Sequence, residues 1–171
     1  MPSVELPSGV PLEWSHRVAP LARGSNYVVI NGMEVYQPRE FKATTMLIGD
    51  PTSPVALCTS WADPWEVIDG ETIDRFSILA PLRTPGGIEV MLANLARHPS
   101  IHQVLIWAGG KFDNTPKATL PRDYLFRLFK DGINGMCKII GTDFTLNESL
   151  LSDGGIDVIR KIISSVQVIG P

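Results

Sequence analysis

The chain has 171 residues and a mass of 18.7 kDa, the size of one domain with an extension. Its 44% hydrophobic content is ample for a core, and a net charge of -3 with a pI near 5.6 argues against a general nucleic-acid binder. Lys and Arg are scattered without a run, and no apolar stretch approaches the ~20 residues of a membrane span. The opening MPSVELPSGVPLEW has neither a basic n-region nor an apolar h-region, so a cytoplasmic protein is expected.

In chain order, residues 1 to about 25 carry Pro2, Pro7, Pro11 and Pro20 and few periodic apolar positions, which predicts an extended arm tacked down by Trp14 and Leu21. Tyr27–Ile30, Asn31-Gly32 and Met33–Tyr36 read as a hairpin, because Asn-Gly between two β-prone runs supplies the positive φ angles of a tight turn. Thr44–Ile48 is a further strand stopped by Gly49-Asp50-Pro51. Val55–Ser60 is the first core strand, and the acidic segment Trp61–Gly70 carries Trp61 and Trp65. Thr72–Phe76 has room for one helical turn before strand Ile78-Leu79. Ile88, Met91, Leu92 and Leu95 then recur at helical spacing.

Val104–Trp107 is an unbroken apolar run, as expected of a strand covered on both faces. After a long loop, KFDNTPKATLP, Pro121 suits the start of a helix with Tyr124, Leu125, Leu128 and Phe129 on one face, and Gly132 suits its end. Lys138–Ile140 is a short strand candidate. Ser152 or Asp153 is placed to cap a last helix with Ile156, Ile159 and Ile163 inward, and Val166–Ile169 is a final strand. The chain stops at Gly170-Pro171, either a natural end or the boundary with a following domain. The alternation predicts an α/β fold in three α/β/α layers, with a largely parallel sheet and an N-terminal β-hairpin extension. The division is an arm and hairpin over 1–43 and an α/β domain over 44–171.

In a parallel sheet, the loops after the strands gather at the carboxyl edge, where open α/β sheets bind ligands. Four segments fall there: Ser60–Asp63, Arg83–Gly87, Gly109–Asn114 and Gly141–Asp143. Gly86 and Gly87 at a helix start offer backbone N–H groups to an anion, with Arg83 and Thr84 beside them, although glycines in such turns more often serve chain reversal. Trp61 and Asp63 are expected on one wall, Gly110 and Asn114 on the opposite wall, and Gly141, Thr142 and Asp143 at the edge. Trp61 and Trp65 either cover a planar ligand or meet a partner surface.

The acidic residues Asp63, Glu66, Asp69, Glu71 and Asp74 read as a solvated loop, and His98 and His102 as a solvated turn. Cys58 and Cys137 read as reduced, buried thiols, and two cysteines without paired histidines make no zinc site. No G-x-S-x-G and no Cys–His pairing points to a nucleophilic hydrolase. The catalytic residues therefore stay unassigned.

Three segments together resemble the corrinoid-bearing subunit of tetrahydromethanopterin S-methyltransferase and its stand-alone relatives. They are Gly49–Ala56 (GDPTSPVA), Pro81–Thr84 with Gly87–Asn94 (PLRT, GIEVMLAN), and Lys130–Ile133 leading to Ile139-Ile140-Gly141. His98–Ile101 is similar to the family's Asn-Pro-Asn-Ile turn, and the likeness spans roughly residues 47–163 in order. The resemblance implies an α/β domain that carries a corrinoid and relays a methyl group. The family's cobalt-ligating histidine falls on Asn114 here, and an amide is a poor cobalt ligand beside imidazole. The expectation is thus a small-ligand or cofactor-binding domain of one-carbon transfer, with a corrinoid or a folate or pterin as ligand. Related domains also occur joined to thymidylate synthase. That fact motivates the alternative, a non-catalytic accessory domain with a partner of that type or a second copy of itself in a homodimer.

Overall fold

The computed structural model describes residues 10–18, 27–37, 46–110, 112–147 and 155–170. The expected Thr44-Thr45 start of a strand, Leu21, Lys111 and the Ser152 or Asp153 cap lie outside the described residues.

Among the described residues, seven strands and four helices follow one another: β1 (Tyr27–Ile30), β2 (Met33–Tyr36), β3 (Leu47–Ile48), β4 (Val55–Cys58), α1 (Pro64–Val67), β5 (Ile78–Ala80), α2 (Gly86–Arg97), β6 (Gln103–Ile106), α3 (Pro116–Asp131), α4 (Gly155–Ser165) and β7 (Gln167–Ile169). The main sheet has the order β3-β5-β4-β6-β7, with β3 antiparallel at one edge and the other four parallel. The fold is α/β with a largely parallel sheet, as the alternation predicts. Among the described residues, no helix is long and apolar enough to cross a membrane.

Register decides which residues face which layer. Leu47, Leu79, Leu57 and Leu105 stand side by side in one row across four strands, and they share a cluster with Trp14, Val18 and Ile73. Ile48, Ile78, Ala56, Cys58, Val104 and Ile106 point the opposite way into the main core under α2, α3 and α4. The Leu row has a thin cover: α1, the single turn Ile73–Arg75 and the Leu12–Arg17 segment, with Trp65 packed partly buried beside them.

The N-terminal segment departs from the extended arm that its prolines suggest. Leu12–Arg17 forms a 3₁₀ helix after Pro11, Trp14 is 7% exposed against the sheet, and Val18 bridges Leu47. Burial of one indole, worth about 2–3 kcal/mol, favours the compact turn. Arg17 adds an ion pair to Asp74 at 2.7 Å.

Two further boundaries differ from the sequence expectation. α3 starts at Pro116, not Pro121, with Thr115 as N-cap residue and Pro116 in the first turn. Ala118 and Pro121 are both buried, so the added turn gains apolar contact that offsets the hydrogen bond Pro121 cannot make. Lys138–Ile140 does not join the sheet. Isolated bridges Ile133 to Ile139 and Lys138 to Thr145 fold it into a local turn, with Ile133, Ile139 and Leu146 buried in the main core.

The hairpin forms as its Asn-Gly turn predicts, with φ of 49° at Asn31 and 78° at Gly32. It lies on α2 and shares the main core through Met33, Val35 and Tyr36. Asn94 of α2, 3% exposed, imitates a strand neighbour: its Oδ1 accepts from Tyr36 N at 2.8 Å, and its Nδ2 donates to Tyr36 O at 3.1 Å. The Arg97 guanidinium lies 4.2 Å from the Tyr27 ring centre and pairs with Glu34. His98 is not simply solvated, since its Nε2 meets the Glu34 carbonyl, an acceptor, which places the ring proton on Nε2.

Asn94→Ala strips Tyr36 of both bonds in a buried setting and should cost about 3 kcal/mol. Denaturant unfolding measures the loss, and amide exchange should show β1 and β2 losing protection before the main sheet.

Candidate functional site

In this strand order, β4 leads to β5 on one side, and the chain then crosses to β6 on the other. The carboxyl ends of β4 and β6 therefore flank a topological switch point, the place where open α/β sheets take ligands. Thr59–Asp63 leaves β4 there, Pro81–Pro85 leaves β5 beside it, and Trp107–Gly110 leaves β6.

Ser60 holds the three exits together. It is fully buried and adopts φ of 59°, uncommon for a residue with a side chain. Its carbonyl accepts from Leu82 N at 2.8 Å, and its hydroxyl donates to Trp107 O at 2.7 Å. Asp113 makes a second tie. It is 2% exposed and accepts from Trp61 N at 3.1 Å and from Gly110 N at 2.6 Å, while its carbonyl accepts from Arg122. Arg83 completes the ring, donating to Trp61 O at 3.2 and 3.0 Å and pairing with Asp63 at 2.7 Å.

Below this edge, a cavity of about 250 Å³ runs between α2 and the sheet. Met46, Ala56, Cys58, Val90, Met91 and Leu95 give it apolar walls, and Arg83 and the exposed Thr84 bring it to the surface. A roughly 150 Å³ apolar cavity is known to hold benzene, so this volume suits a two-ring system. A second hollow, about 480 Å³, lies among Phe129 and Lys130 near the end of α3 and Ser165–Val168. That is the amino end of β7, away from the strand exits.

The predicted residues divide accordingly. Trp61, Asp63, Arg83 and Gly110 are joined in one hydrogen-bonded network, and Thr84 and Gly87 line the cavity with Arg83. Gly86 starts α2 beside them. Asn114 is exposed in the turn before α3, next to Asp113 but with its own side chain outward. Gly141, Thr142 and Asp143 neither line the cavity nor share a described hydrogen bond with this network, and their expected strand is the local turn described above. A Cβ at Gly141 would come within 2.8 Å of the Arg127 side chain on α3, and Thr142 donates to Ile139 O.

Of the expected anion cradle, the Gly87 N–H is already committed. Gly87 N donates to Thr84 O and Ile88 N to Pro85 O, both at 3.0 Å, so these N–H groups turn inward. A Cβ at Gly87 would sit 2.9 Å from Leu82 Cδ1, so this glycine serves close packing of helix on loop. The Arg83 charge is opposed by Asp63. The site favours an apolar, uncharged body.

The acidic residues have local tasks. Asp63 pairs with Arg83, Asp74 with Arg17, and Asp69 accepts from Glu71 N and Thr72, which lowers its carboxyl pKa, the Thr72 hydroxyl bond contributing most. Among the described residues, no group of three or more His, Cys, Asp or Glu side chains is arranged to hold a metal ion. His98 is committed to the hairpin, while exposed His102 is at the amino end of β6, where its N–H bonds Pro54 O. A corrinoid held by a protein imidazole does not fit these residues.

Asp113 falls in a candidate loop of the sequence, but its organising role there is visible only in the structure. In the chain it is one of several turn-type aspartates, and only its burial between two strand exits distinguishes it. Asp113→Asn keeps one acceptor but turns an NH2 group toward the other N–H. It should destabilise the fold by about 2–3 kcal/mol in thermal or denaturant unfolding.

Cys58 lines the cavity as a protonated thiol, since complete burial raises its pKa from 9.0 to about 11. The unfolded thiol ionises first, so the associated stability is full below pH 9 and is lost as pH rises through 11. At about 1.4 kcal/mol per pKa unit, the loss approaches ~3 kcal/mol. Unfolding free energies between about pH 8 and 11 should fall more steeply for the native chain than for Cys58→Ala.

No protein-family model and no curated protein matches this sequence.

Proposed function

We propose that this chain is a small-ligand-binding α/β domain linked to one-carbon (methyl) transfer, and that it holds a planar ring of pterin or folate type between α2 and the sheet. The observation that carries the reading is the apolar cavity that reaches the surface at Arg83 and Thr84, beside the switch point. The resemblance of Gly49–Ala56, Pro81–Thr84 and Gly87–Asn94 to the corrinoid-bearing methyltransferase supplies the link to methyl transfer. His98 is committed to the hairpin and His102 lies at the amino end of β6, while Asn114 stands in the family's ligand position. Both points favour the pterin class over a cobalt-ligated corrinoid.

Titration of the purified chain with tetrahydrofolate and, separately, hydroxocobalamin tests this by tryptophan fluorescence and corrin absorbance. Tetrahydrofolate should quench saturably in the micromolar range, and hydroxocobalamin should show no band shift of the imidazole-ligated kind. Ala80→Leu, which fills the cavity from the β5 side, should weaken tetrahydrofolate binding by about tenfold or more, equivalent to about 1.4 kcal/mol. Failure of both ligands to bind at high micromolar concentration overturns the reading and favours an accessory domain beside a thymidylate synthase-type enzyme.

A further inference from the structure

Three sulfur-bearing side chains, Met46, Cys58 and Met91, line the cavity between α2 and the sheet. Strand register places the first two. Cys58 of β4 stands opposite Ala80 of β5. Leu47 and Ile48 of β3 pair with Leu79 and Ile78, and one further step of that antiparallel register sets Met46 opposite Ala80 from the other side. Met46, Ala80 and Cys58 thus form one row across three strands, on the face that the helices cover. Ala80 is the short member of that row, and Ala56, two residues before Cys58, keeps the neighbouring floor low as well. On α2, Met91 follows one turn after Gly87, whose lack of a side chain leaves the space beside it open. The polar groups of the lining are engaged or lie at its mouth. Asn94 bonds both backbone groups of Tyr36, Arg83 pairs with Asp63, and Thr84 is exposed. Sulfur is what remains inside to discriminate one apolar ring from another.

We propose that the floor at Ala80 is the ring seat of this cavity, and that Met46, Cys58 and Met91 make it select an aromatic ring over a saturated ring of the same skeleton. The assignment rests on the reading of the cavity as a ligand site and adds to it the residues that set specificity. Neighbouring strands lie about 4.8 Å apart, close to the ~5 Å at which sulfur meets an aromatic ring. A flat ring resting on Ala80 has Met46 along one edge and Cys58 along the other, with Met91 reaching in from α2. Polarizable sulfur at a ring edge is a favourable contact, and the flexible thioether chains adapt to the outline of the ring. A saturated ring fills the same space and keeps the apolar burial, but it has no π-system for the sulfur atoms to meet. Two or three such contacts together correspond to about tenfold in affinity.

The test compares 2-naphthol with decahydro-2-naphthol, which share a carbon skeleton and a hydroxyl group. Both are titrated into the full chain by calorimetry, with the methionine methyl signals followed by NMR. The expected result is about tenfold tighter binding of 2-naphthol, with upfield ring-current shifts of the Met46 and Met91 methyls on its addition alone. Met46 and Met91 are then replaced together by leucine, and in a second variant by norleucine, which keeps the unbranched chain should leucine disturb the packing. Either double variant should bring the preference down to about twofold, the share left to Cys58, while decahydro-2-naphthol binds within about threefold of its native affinity. A full preference in the norleucine variant, equal binding of the two probes to the native chain, or methyl signals that stay in place at saturation each overturns the sulfur assignment alone. Failure of both probes to bind the native chain overturns the cavity reading, and the assignment with it. Binding of 2-naphthol with the expected shifts, beside failure of tetrahydrofolate, removes the pterin class and upholds the seat.

Discussion

The candidate site depends on the turn at Ser60. With φ of 59° and no exposure, this residue bends the chain out of β4 so that its carbonyl meets Leu82 N and its hydroxyl meets Trp107 O. One residue thus joins the exits of three parallel strands whose loops are far apart in sequence. Asp113 repeats the device one layer further out, between Trp61 N and Gly110 N. Buried bonds of this kind are worth more than surface ones because no water replaces them when they break. The ends of α/β sheets are often open loops; here the loops are stitched together, and a cavity lies beneath them.

The two faces of the sheet are covered unequally. One carries α2, α3 and α4 and includes the cavity, while the other relies on short turns and on Trp14 over a row of leucines. Helices built on long connections fit only the first face, because the 59–77 connection from β4 to β5 contains no helix longer than four residues. An N-terminal 3₁₀ segment therefore completes the second layer. The hairpin has a comparable task on α2, held by Asn94, Arg97 and His98.

The cavity has the chemistry of a core that was left unfilled. Its walls are aliphatic and thioether, its one thiol is held protonated by burial, and its charged residue at the mouth is already paired. Such a space offers shape and a few polar contacts at its rim. This distinguishes it from a phosphate-binding glycine loop, whose open N–H groups are the source of affinity.

The sequence by itself determined the order of the elements, because periodicity is local physics. Continuous apolar runs marked β4, β5 and β6, Asn31-Gly32 marked the hairpin, and the 3.6-residue repeat marked α2. It also placed Trp61, Asp63, Arg83, Thr84, Gly87 and Gly110 in one neighbourhood, since strand exits in a parallel sheet share an edge. Only the tertiary structure decided the rest. Whether Pro116 or Pro121 opens α3 rested on the burial of Ala118, and whether Lys138–Ile140 joins the sheet rested on a competing local turn. The pairing of Arg83 and the burial of Asp113 each depend on contacts between distant segments. Hydrogen-bond partners and solvent exclusion are properties of the packed chain, and no spacing of residues records them.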